Sequence, residues 1–277
     1  MQQVLCLYLI LLSFSLTSNP VHAFLQSIPN NPAINLGIDK SSLMSLGQSN
    51  QEGWYCEFTR RELISSGVAV GALTSMTNSA QAKSVDVGGG GRMFEIIDPE
   101  TYPALVYIPK IDRQNENKKF PVLFVLHGAG KNELDVWNLA NIKGEHSGLA
   151  PSLIQEGRAP SELYENFIVI APYSKGKPSF YDEPRSKLLQ FMGWSISKDG
   201  GGLQGVDVDR IDRQKKFLFG FSDGATLGIE LMTTRKFAAG IFCAYGFTGT
   251  LPPLALERLK GLPIWIFHSA DDGEHII

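Results

Sequence analysis

Apolar residues fall along this chain in blocks. Residues 4–16 form one uncharged apolar stretch, residues 65–79 a milder second one, and from residue 93 onward short apolar runs recur with mixed stretches between them. The runs are 93–97, 104–108, 122–126, 167–171, 216–220, 240–244 and 263–268. The first two are close together and alternate, the pattern of an antiparallel hairpin at a sheet edge. The later ones are continuously apolar, as strands buried on both faces require. Between them, 149–156, 185–192, 224–233 and 254–260 carry apolar residues at helical spacing and stop near Gly157, Gly193, Arg235 and Gly261. Strand and helix in alternation around a parallel core predict a three-layer α/β fold with a mostly parallel central sheet. The run Gly88-Gly89-Gly90-Gly91 precedes a strand and follows none, so it reads as a flexible linker over 83–92 and not as a phosphate cradle. The folded domain is then expected over 93–277.

The two N-terminal blocks read as targeting signals. The first, without a basic start, ends at Val21-His22-Ala23, a small-residue cleavage pattern, so 1–23 is expected to be a signal peptide. Its apolar run is short for a bilayer span, which makes a stable membrane anchor the weaker reading. In the second, Arg60-Arg61 precedes the apolar stretch and Ala80-Gln81-Ala82 closes it, the order of a twin-arginine signal over 59–82. Together with a transit-like segment over 24–58, the leader resembles those of algae with secondary plastids, which implies the thylakoid lumen. Asp39, Glu52 and Glu57 depart from that pattern, and a disordered extension with a chance arginine pair is the other reading.

Charge adds little. The chain has 25 Lys and Arg against 28 Asp and Glu, a net charge of −3, so no nucleic-acid or other polyanion partner is implied. Of three cysteines only Cys243 follows the leader, inside an apolar run, and it reads as a core residue.

The candidate chemistry begins at Gly220-Phe221-Ser222-Asp223-Gly224, between an apolar strand and a helix-like stretch. Glycines on both sides of a serine allow a very tight strand-to-helix turn that leaves Oγ exposed, and the helix N-terminus offers free N–H groups to a developing negative charge. A plain glycine turn with a capping serine is the bland alternative. Upstream, a buried strand ends in His127-Gly128-Ala129-Gly130, the kind of turn that supplies an oxyanion donor. The donors are assigned to the Ala129 and Asp223 N–H groups. His127 is expected to brace this loop and not to act as general base, and His146 is expected to be a surface or lid residue. Trp137, Trp194, Phe180 and Tyr181 could line an acyl pocket or simply pack, and residues 173–185 read as a loop over the site.

These segments, in this order and spacing with the strand and loop 262–272, resemble the α/β-hydrolase superfamily. Within it they are similar to the phospholipase/carboxylesterase and feruloyl-esterase-like group, also described as predicted peptidases. The resemblance implies that Ser222 is the nucleophile and Asp272 the acid that orients the base, with Asp271 the lesser candidate. It implies carboxylic ester hydrolysis through an acyl-enzyme on a small-molecule ester, without cofactor or metal. The alternatives are a peptidase of the same fold and an inactive module that binds a ligand. In that fold the general-base histidine follows the acid by another helix and strand, whereas only His275 lies downstream here. The expectation is a C-terminally incomplete domain that lacks the last strand and helix. Loss of a triad histidine costs about six orders of magnitude in rate, so low activity is expected. Asp271, Asp272, Glu274 and His275 could be taken for a metal cluster, but their spacing matches no calcium or zinc loop.

Overall fold

The computed structural model of the chain describes residues 84–97, 101–113, 115–130, 134–197, 208–246 and 252–268. The expected leader segments, Asp271, Asp272 and His275 lie outside those residues. Eight strands form one sheet: β1 (Ser84–Asp86), β2 (Arg92–Ile97), β3 (Pro103–Ile108), β4 (Phe120–Leu126), β5 (Ile168–Pro172), β6 (Ile211–Phe221), β7 (Ala239–Cys243) and β8 (Ile264–Phe267). Their order across the sheet is β1-β2-β3-β5-β4-β6-β7-β8. The pairs β1–β2, β2–β3 and β3–β5 are antiparallel. Those from β5 through β4, β6 and β7 to β8 are all parallel.

Alternation along each strand divides the core into two layers. On β4, Val122, Phe124 and Leu126 face one side with Leu188, Phe191 and Met192 of α3 (Arg185–Ser195) and Leu227 and Ile229 of α4 (Asp223–Met232). Leu123 and Val125 face the other, with Leu153 and Ile154 of α1 (Ala150–Gln155) and Leu163 of α2 (Ser161–Tyr164). Successive Cβ atoms of a strand point to opposite faces, so a run buried on both sides must be apolar throughout. The three layers follow from this. A fifth helix, α5 (Pro253–Leu259), buries none of its residues.

Helix ends fall close to the expected glycines where the backbone requires them. Gly157 takes φ +71° just after α1, and Arg158 N–H then bonds Leu153 O at 2.9 Å, a left-handed ending that glycine adopts without strain. In contrast, α3 runs past Gly193 to Ser195, because Trp194 packs on the core with its ring 6.0 Å from that of Phe191. Trp137 packs on the opposite core layer.

The expected linker is a correction. Ser84–Asp86 pairs with β2 in the register Ser84↔Phe94, Val85↔Met93 and Asp86↔Arg92, so the sheet begins before residue 93. The glycines make the hairpin turn: Gly90 N–H bonds Val87 O at 3.1 Å, Val87 N–H bonds Gly91 O at 3.0 Å, and Gly89 and Gly90 sit at φ +78° and +76°. Two successive left-handed residues are costly for anything but glycine. Among the described residues no helix is long and apolar enough to cross a membrane.

Candidate active site

Ser222 lies between β6 and α4, in the turn that the glycine-flanked pentad predicts. Its backbone stands at φ 53° and ψ −116°, a region where a non-glycine residue is strained by about 1–3 kcal/mol. The strain persists because the surroundings fix every backbone group. Ser222 N–H donates to Cys243 O on the neighbouring strand at 2.9 Å, and Ser222 O accepts from the N–H groups of Ala225 (2.9 Å) and Thr226 (3.1 Å).

The two glycines of the pentad have separate steric reasons. A Cβ on Gly220 would strike the Gly224 carbonyl and approach Ala225 Cα at 2.7 Å, so helix and strand could not come together. A Cβ on Gly224 would meet the carbonyl oxygens of Leu126 and His127 at 2.5 Å, so the first turn of α4 lies directly on the end of β4. That contact brings the turn after β4 to the serine: a Cβ on Gly128 would be 3.2 Å from Ser222 Cβ.

Both donor candidates flank this junction. Asp223 is the first residue of α4, where an N–H has no intrahelical acceptor. Ala129 is exposed in the turn beside Ser222, and among the described residues no backbone carbonyl accepts from either N–H. A half-buried serine hydroxyl, a helix N-terminus and the turn that carries the Ala129 N–H thus occupy one corner at the C-terminal end of the parallel strands. Such a corner can present a nucleophile to a carbonyl carbon and hold the oxygen of the resulting tetrahedral adduct.

His127 is buried and has no role as a base in this geometry. Its Nδ1 donates to Gly128 O at 2.7 Å and its Nε2 accepts from Ser174 N–H at 3.1 Å, so both ring nitrogens are spent on the backbone. Burial foremost, then the neighbouring His146, pushes its pKa down to about 3. The neutral ring braces the turn after β4, as the strand-end position implied.

His146 corrects the sequence reading. It is buried, not on the surface, with its ring 4.6 Å from His127 and edge-on to Tyr173 at 6.0 Å. Burial lowers its pKa, against the opposing pull of Glu145. Phe180 stacks 4.4 Å from His127 and is buried, while Tyr181 beside it is 45% exposed. An aromatic layer thus lies under the turn. His268 follows β8 and is exposed at the same end of the sheet as Ser222.

The loop 173–185 does lie over this corner, through contacts that no local pattern announced. Gly130 N–H donates to Pro178 O at 3.0 Å, and Ser179 Oγ donates to the Asp223 carboxylate at 2.6 Å. Farther along, Arg185 Nη1 bonds Glu230 Oε2 at 2.8 Å and Tyr181 Oη bonds Glu230 Oε1 at 3.2 Å. Lys177 and Lys187 both pair with Glu183 at its surface.

A parallel sheet in this order, antiparallel at one side and with a serine on a strained strand-to-helix turn beside a glycine-rich turn, is the α/β-hydrolase fold. No family model matches the chain, and no curated protein sequence does. Solved structures similar to it include a thermostable esterase, 24% identical with a TM-score of 0.46, covering 66% of this chain and 47% of that one. A ferulic acid esterase is 21% identical with a TM-score of 0.34, covering 59% of each chain. The substrate-bound fluorophosphonate-binding serine hydrolase F of Staphylococcus aureus is 14% identical with a TM-score of 0.40, covering 68% of this chain and 79% of that one. The chain thus spans about half the length of the first and under two thirds of the second.

Proposed function

We propose that this chain is a serine hydrolase that cleaves carboxylic esters through an acyl-enzyme intermediate. The observation that carries the reading is the strained backbone of Ser222 at the N-terminus of α4, with the Gly128–Ala129 turn against its Cβ. Strain of this kind persists where the surroundings over-determine the backbone, and a nucleophile held up for attack gives it a purpose.

In this mechanism Ser222 Oγ attacks the ester carbonyl, and the carbonyl oxygen takes up negative charge facing the Ala129 and Asp223 N–H groups. Collapse expels the alcohol and leaves an acyl group on Ser222, which water then removes. The proton from Oγ would pass to a general-base imidazole oriented by Asp272 and then to the departing alcohol, a base that has to come from outside the described residues. Neither His127 nor His146 fills that role, the first having both nitrogens bonded and the second being packed beneath the turn. The substrate is a small-molecule ester, and the leader carries the protein to the thylakoid lumen. A fluorescent fusion retained in the cytosol would sink that location.

Hydrolysis of short acyl esters by the purified chain, compared with Ser222→Ala and with short peptides as competing substrates, tests the reaction. Ester cleavage lost in the variant is the expected result. Peptide cleavage instead would favour a peptidase of the same fold, and turnover of neither would favour a ligand-binding module.

A further inference from the structure

The two donors assigned to the oxyanion hole lie on separate segments, Ala129 in the turn after β4 and Asp223 at the start of α4. The Gly224 contact sets α4 against the end of β4, and the loop above adds a second tie between the two segments. One dipeptide of the overlying loop touches the neighbour of the first donor and the side chain of the second: Pro178 O accepts from Gly130 N–H at 3.0 Å, and Ser179 Oγ donates to Asp223 Oδ2 at 2.6 Å. We infer that Ser179 is a positioning residue for the oxyanion hole, clasping Asp223 while the adjacent Pro178 carbonyl holds the turn that carries Ala129.

The direction of the Ser179 bond is fixed locally. A serine hydroxyl has one proton. Ser179 Oγ already accepts from Tyr181 N–H at 2.9 Å, and Ser179 N–H donates to Asp182 Oδ2 at 3.1 Å in a reciprocal cap of the 180–182 turn. The hydroxyl is therefore oriented before Asp223 meets it, and its proton goes to the carboxylate. This matters chemically as well as sterically. The Asp223 side chain is an anion on the residue whose N–H must stabilise another anion, an arrangement that Coulomb repulsion opposes. A charge-assisted hydrogen bond from Ser179 turns the carboxylate toward the loop and disperses its charge. Ser179 touches no reacting atom; it acts through Asp223.

The inference rests on the hydrolase reading, and the test separates the two. The kinetics of fluorophosphonate labelling are measured for the intact wild-type chain, Ser179→Ala and Ser179→Thr, with amide hydrogen exchange followed in parallel over 128–130 and 222–224. The expected result is a limiting labelling rate about tenfold lower in Ser179→Ala, since a displaced donor costs less than the 10²–10³ of a deleted one. The concentration giving half the limiting rate stays unchanged, and Ser179→Thr recovers the rate because it keeps the hydroxyl. Amide exchange at Gly130, whose N–H bonds Pro178 O, should quicken in Ser179→Ala alone. In an Asp223→Ala background the Ser179→Ala change should have no further effect, the signature of a coupled pair. Labelling of a folded Ser179→Ala at the wild-type rate would overturn the inference. If the wild type itself is not labelled, the hydrolase reading fails and takes the catalytic role of Ser179 with it, and unchanged exchange would then overturn the clasp also.

Discussion

The centre of the sheet and its β8 side are built to different standards. At the centre, β4 and residues 218–220 of β6 are buried on both faces, α4 touches β4 through carbonyl oxygens 2.5 Å from where a Gly224 Cβ would stand, and the Ser222 peptide bonds on both sides. At the β8 side, Ile264, Trp265 and Phe267 are only half buried, Ile266 is 51% exposed, and α5 leaves Leu254 60% and Leu256 52% exposed. That side is tied on mainly by backbone bonds, among them Gly240 N–H to Pro263 O and Ala244 N–H to Phe267 O, with Arg235 Nη1 reaching Arg258 O at 2.8 Å. Strain can be held only where neighbours leave the backbone no alternative. The strained serine sits at the centre, whereas the β8 side has its positive φ values outside glycine at Arg235 (57°) and Ala244 (52°), neither of which carries a hydroxyl.

Several substitutions would break that contrast, and the core gives the largest effect. Phe124→Ala, at a fully buried position in β4, should lower stability by about 3–5 kcal/mol, read from the urea midpoint at unchanged m. Gly224→Ala comes next, at about 1–3 kcal/mol or more, because its methyl group meets main-chain carbonyls that cannot swing aside. It should also slow Ser222 labelling by displacing the turn after β4. If that variant proved as stable as wild type, the close helix–strand contact would be refuted.

The acid limb of stability sharpens the comparison at His127. Its folded pKa of about 3 lies below the ordinary histidine value of 6.5, so the unfolded chain binds the extra proton between those values. The stability His127 contributes is then complete above about pH 6.5 and is lost as pH falls toward 3. His127→Gln should flatten the slope of unfolding free energy against pH across that window, leaving the part due to His146. An unchanged slope would mean that the ring is protonated in the native state.

Smallest of all, Leu256→Ala on α5 should alter stability by less than about 0.5 kcal/mol, the range of surface changes. A larger loss would show the β8 side to be packed more firmly than its exposure indicates.

The central strands were legible in the sequence because burial on both faces leaves a continuous apolar run, and the serine turn was legible because its two glycines are sterically forced. Other features left no such mark. Ser84–Asp86 is a three-residue edge strand held by backbone pairing, which any side chains permit. The first residues of β6, with Asp212, Arg213, Gln214 and Lys215, are polar because they extend past the doubly covered part of the sheet, where the register with β4 shifts between Pro121 and Val122. His146 sits in a stretch with no periodicity, and its burial depends on rings from distant segments. Ser179 and Asp223 are 44 residues apart; only the folded chain brings them together.

The most direct test of the account is to treat the intact chain with a fluorophosphonate and map the adduct by peptide mass spectrometry. A single adduct on Ser222, absent from Ser222→Ala, is the predicted result. A folded chain that takes up no reagent, or takes it up on another serine, would contradict the claim that the strained turn presents a nucleophile.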